Sequence, residues 1–194
     1  MPALTSLPTF VDGQLVHQPP LNLIPYNIDQ LAQLTTGYPA AAARSTKPVA
    51  KVILSGSQGI PSGVGGTNQI VTWGTEIADT DGMWSSSFPD HMTINTPGWY
   101  RIRAQASWGS AGATERVVQI LINGVADPLN VVATTSANLG YGGGSFRHQV
   151  VALEHLAAGA SIYCGVFQSS GATLNLLTNG AWGTYLTAAW AAPY

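Results

Sequence analysis

The chain has 194 residues, of which 45% are apolar and only 8% are Asp, Glu, Lys or Arg, and its formal net charge is -2. A soluble protein usually carries about 25% charged residues, and seven lysines and arginines form no patch that neutralises a run of phosphates, which argues against nucleic acid as a partner. The single cysteine, Cys164, excludes an intrachain disulfide, and no segment approaches the ~20 consecutive apolar residues of a membrane-spanning helix.

Residues 1–20, punctuated by Pro2, Pro8, Pro19 and Pro20, predict an extended arm. Its first residues show neither a basic stretch nor a following apolar one, so no secretory signal is expected, and the chain is expected to fold in a cytoplasm. From Leu21 the pattern changes. Leu21, Ile24, Ile28, Leu31 and Leu34 recur at spacings of three and four, which predicts a short helix. Asn22 caps its start, Pro25 falls in the first turn, Gly37 ends it and Pro39 stops it. A lone helix of this length is marginal in water, so it needs a partner, either the rest of the chain or copies of itself. Pro39 to Pro48, with Ala40 to Ala43, reads as a linker.

Beyond residue 50 the period becomes two. In Trp99 to Trp108, Tyr100, Ile102, Ala104, Ala106 and Trp108 share one face, and Arg101, Arg103, Gln105 and Ser107 the other. Arg116 to Ile122 follows and ends at Asn123-Gly124, a strong hairpin signal. Phe146 to Leu156, Ser161 to Gln168, Thr173 to Leu177 and Thr184 to Trp190 are further strands, and Gln69 to Ile77 and His91 to Asn95 complete the set. About eight short strands separated by Gly-containing turns predict an all-β fold, a jelly-roll β-sandwich preceded by an extended arm and one short helix. The expected division is residues 1–38 for attachment and trimerisation, 39–50 as linker, and 51–194 as the head.

Three stretches carry a resemblance. Asp79-Thr80-Asp81-Gly82-Met83-Trp84 with Phe88, then Thr96-Pro97-Gly98-Trp99-Tyr100, then Leu156 to Ile162 with Val166 and Gln168-Ser169-Ser170-Gly171, resemble the jelly roll of complement-subcomponent and tumour-necrosis-factor-like domains. Ala160 departs from the aspartate usual in that family's third motif. The resemblance covers roughly residues 50–194 and implies a homotrimer packed around a three-fold axis. Phe10-Val11-Asp12-Gly13-x-Leu15 and the helical stripe resemble the start of tailed-bacteriophage virion proteins: minor tail proteins, head fibres and capsid decoration proteins. That resemblance implies a virion location, with Phe10, Leu21, Ile24, Ile28 and Leu31 anchoring the trimer to capsid or tail proteins.

No arrangement for catalysis stands out. The sequence holds no Gly-x-Ser-x-Gly elbow, phosphate-loop lysine motif or His-Glu-x-x-His, and its nine acids offer no preferred pair for glycoside hydrolysis. Asp79-x-Asp81-Gly82 opens like a calcium loop, but Met83 takes the third ligand position and no glutamate closes it, so a turn is expected there. His17, His91, His148 and His155 are scattered, and the phase of His148 places it in a core or interface. No cofactor, metal or catalytic residue is expected. Trp73, Trp84, Tyr141 and Trp182 lie near Gly-rich loops and are candidate surface-contact aromatics for a host glycan, against the alternative of core or interface packing. The expected function is that of a virion structural protein presenting its head outward for host contact; the alternative is a carbohydrate-binding adhesin module of the same fold.

Overall fold

The structure, a computed structural model, describes residues 47–63, 68–110, 115–124, 128–138, 146–178 and 183–193. The expected arm and helix, with Phe10, Leu21, Ile24, Ile28 and Leu31, lie outside these residues, as do Tyr141 and Trp182.

Among the described residues thirteen strands run in chain order: β1 (Val49–Ile53), β2 (Gln58–Ile60), β3 (Gln69–Ile70), β4 (Thr75–Asp79), β5 (Trp84–Ser85), β6 (Phe88–Thr93), β7 (Gly98–Trp108), β8 (Glu115–Ile122), β9 (Val131–Asn138), β10 (Phe146–Leu156), β11 (Ser161–Gln168), β12 (Leu174–Leu176) and β13 (Tyr185–Ala192). They form two antiparallel sheets. Sheet I follows the order β2-β12-β7-β13-β1-β4, with β10 on the opposite side of β7. Sheet II follows β5-β6-β11-β8-β9, with β3 also on β11. The chain passes repeatedly between the sheets, at β2–β3, β3–β4, β4–β5, β6–β7, β7–β8, β9–β10, β10–β11 and β11–β12, which is the alternation of a jelly-roll sandwich.

Alternation builds the core. Tyr100, Ile102, Ala104, Ala106 and Trp108 of β7 are all 0% exposed, and so are Ile162, Cys164 and Val166 of β11 on the facing sheet. Between them they remove a large apolar surface from water, at roughly 25 cal/mol per Å2. Buried Gln168 finds its partners within the fold. The buried Gln168 amide donates to the Ile60 carbonyl at 2.9 Å and the Ala172 carbonyl at 2.8 Å, and accepts from the Ser170 N–H at 2.7 Å. One side chain thereby ties the end of β11 to β2 of the other sheet and to its own turn.

Most expected strands are present with small shifts at their ends, but four differences are physical. Gln69 to Ile77 is two short strands, β3 and β4, in different sheets. β1 begins at Val49, inside the stretch expected as linker, and β9 was not expected at all. Asn123 does take a left-handed conformation at φ 61°, yet no two-residue hairpin follows. The chain makes a 3-10 turn at Pro128–Asn130 before β9 starts, because Pro128 cannot donate to a ladder.

Candidate functional site

The outward face of sheet I gathers the exposed side chains of four long neighbouring strands. Register aligns them in rows across β1, β13, β7 and β10: Val49–Ala189–Arg101–Leu153, Lys51–Thr187–Arg103–Val151, and Ile53–Tyr185–Gln105–Gln149. Beyond the first row, Trp99 of β7 meets His155 of β10 with ring centroids 5.3 Å apart. None of these positions is an acid.

Two regions differ in character. Over β13, the short side chains of Thr187 and Ala189 lie between longer neighbours, which leaves an open groove of about 280 Å3 lined by Lys51, Arg101, Arg103, Tyr185, Thr187 and Ala189. The Lys51 ammonium sits 5.2 Å from the Tyr185 ring centroid, and the Gln149 amide donates to the Tyr185 hydroxyl. No described carboxylate pairs with Lys51, Arg101 or Arg103. Toward β10 the face turns apolar: Trp99 is 41% exposed, Val151 44% and Leu153 59%. β10 is eleven residues long and pairs only with β7 among the described strands.

Sheet II carries a second exposed cluster. Phe88 is 65% exposed. Its ring lies 6.0 Å from that of His91, which lies 5.0 Å from Tyr163, its cross-strand partner. His91 Nδ1 is 2.7 Å from an Asp90 carboxylate oxygen.

The interior end of β10 holds a polar pair. Trp108 Nε1 donates to His148 Nε2 at 2.8 Å, so the ring accepts there and carries its hydrogen on Nδ1. Burial, and after it the Arg116 charge, pushes the His148 pKa down to about 4. Arg116 is itself fully buried, and burial lowers its pKa too. The lone Cys164 is also fully buried, and burial pushes its thiol up to about 12, so it stays protonated and inert at neutral pH.

The expected residues fall in different places. Trp73 is 1% exposed and belongs to the core, so a surface-contact role is corrected: the strands around it close over its ring. Trp84 is half-buried and packs partly against the core. At the acidic turn, the Asp79 carboxylate accepts from the backbone N–H groups of Asp81 at 3.1 Å and Trp84 at 2.8 Å. Asp81 accepts from the Thr96 N–H at 3.0 Å and its hydroxyl at 3.1 Å. These oxygens hold the turn and join it to the β6–β7 loop, and the described residues contain no group of three His, Cys, Asp or Glu placed to hold a metal ion. Sequence reasoning set Arg101 and Arg103 on an outward face but missed Lys51 beside them. Nothing local signals that β1 and β7 flank the same strand.

No family model matches the chain, and no curated protein matches it. Among solved structures, the crystal structure of murine APRIL at pH 5.0 is similar with a TM-score of 0.56 and 12% identity, over 75% of this chain and 100% of that one. The globular domain of the zebrafish complement 1qA protein is similar with a TM-score of 0.48 and 15% identity, over 76% of this chain and 100% of that one. At 12% identity the likeness to APRIL is one of fold, and the jelly-roll expectation holds on that ground.

Proposed function

We propose that the chain is a non-catalytic structural protein of a phage virion, a homotrimer whose jelly-roll heads meet through sheet I and whose residues 1–38 attach it to capsid or tail proteins. The observation that carries the trimer is the apolar flank of sheet I. Trp99, Val151 and Leu153 stand exposed side by side, on and beside an eleven-residue strand that pairs only with β7 among the described strands. Contiguous apolar surface of this kind marks an interface. In a closed three-fold ring the flank of one copy packs on the sheet of the next. The anchoring role rests on the resemblance of Phe10 to Leu31 to virion proteins.

Sedimentation of the full chain tests the assembly, with a trimer expected and a folded monomer at micromolar concentration sinking it. Mass spectrometry of gradient-purified particles tests the location. The full chain is expected in the particle and a chain lacking residues 1–38 is expected to be missing from it. Equal incorporation of both would remove the anchoring role.

The second reading, a carbohydrate-binding module, is favoured by the Phe88–His91–Tyr163 cluster. Exposed rings beside a hydrogen-bonded carboxylate suit stacking on a sugar face and bonding to its hydroxyls. Glycan binding lost in Phe88→Ala with an unchanged melting temperature would support it. Binding that survives this change would place the contact elsewhere.

A further inference from the structure

We propose that the groove over β13 is an oxyanion site, binding one sulfate- or phosphate-type group between Lys51, Arg101 and Arg103. The chain has only seven lysines and arginines, yet three of them line one groove with no acid on the rows around it. Lys51 rests on the Tyr185 ring, and no described carboxylate neutralises the three cations, which leaves a positively charged groove.

The geometry selects the ligand. Lys51 and Arg103 lie in one row with Thr187 between them, two strand spacings apart, or about 10 Å at the backbone. Both long side chains line the groove that the short threonine leaves open. Arg101, two residues along β7, lies on the same face and lines the groove beside Ala189. Three cationic side chains therefore line one open groove, with the Lys51 ammonium at its Tyr185 side. A tetrahedral oxyanion offers oxygens to all three, whereas a carboxylate offers two in one plane. Each guanidinium can bond such an anion with two parallel N–H groups. The Thr187 hydroxyl, 3.4 Å from the Arg103 carbonyl, forms the floor.

The site needs only one chain, but its consequence for assembly rests on the trimeric reading. If sheet I faces a three-fold axis, three grooves bring nine cations into a region that water leaves. Burying unpaired charge is prohibitive, so assembly would take up the oxyanion as counterion. The anion would then work as a structural part of the trimer.

The test uses the full chain with sodium sulfate, sodium phosphate or sodium chloride at matched ionic strength, read by thermal melting, isothermal titration and sedimentation. Sulfate and phosphate are expected to bind saturably and raise the melting temperature where chloride does not. Lys51→Gln and Arg103→Gln, both on the outward face, are each expected to weaken that binding about tenfold and to lower the melting temperature in chloride by little or not at all. An equal rise with chloride, or a rise kept in the Lys51→Gln, Arg103→Gln double variant, overturns the proposal. Dextran sulfate separates the sources: a gain with the polymer assigns a polymer-borne sulfate on an open face, and a gain with small ions alone assigns a free ion. Sedimentation reads the trimer separately, so anion binding by a monomer removes the trimeric reading and leaves the site standing.

Discussion

His148 is a base that the fold holds neutral, because burial penalises its charged form and the Arg116 charge adds to this, and its neutral Nε2 accepts from the Trp108 N–H. Its pKa is about 4 in the fold against 6.5 when free. Between those values the unfolded chain binds more protons, so stability is full above about pH 6.5 and falls as pH drops toward 4. Urea midpoints across that range are expected to show the loss, and His148→Gln, which keeps an acceptor but does not titrate, is expected to flatten it. Gly98 is a second residue fixed by its surroundings. It sits at φ 151°, and a Cβ there would strike the Trp190 indole and lie 2.6 Å from the Ala192 carbonyl. Gly98→Ala is expected to cost about 3 kcal/mol in equilibrium unfolding. The Pro97-Gly98 pair was legible as a strand start in the sequence, but its close contact with β13 was not. The role of Trp73 was misread for a related reason: nearby glycines indicate a loop, not which side chains the loop covers.

Among the elements, β7, β8, β10 and β11 were readable because their apolar residues alternate and their ends carry turn residues. β9 escaped notice because Val131–Asn138 is built largely of Ala, Thr, Ser and Asn, which alternate weakly. β1 escaped because it directly follows a Pro- and Ala-rich stretch. The acidic turn between β4 and β5 acts as a clasp on the β6–β7 loop, since Asp81 takes both bonds from Thr96. Asp81→Ala is expected to lower stability by about 2 kcal/mol and Asp81→Asn by less, because the amide keeps one acceptor; chemical denaturation checks both. Leu153→Lys belongs to the same scale. Leu153 is 59% exposed on β10, so the charge is expected to leave the fold unchanged while dissociating the proposed trimer in sedimentation.

At the scale of the molecule, the sandwich was legible and the groove was not. Alternation along one strand tells which residues share a face. It does not tell that β13, the last strand, lies between β1 and β7 and so brings Lys51 to the two arginines. That order is set by long-range pairing, which no local pattern encodes. Cys164 offers a way to watch the whole sandwich open. Its thiol lies fully enclosed between the sheets, and it is the chain's only sulfhydryl. A thiol reagent in solution is therefore a clock with one hand, silent while the two layers stay closed. Its rate of labelling is expected to follow global unfolding, rising in step with urea, with no second site to blur the record.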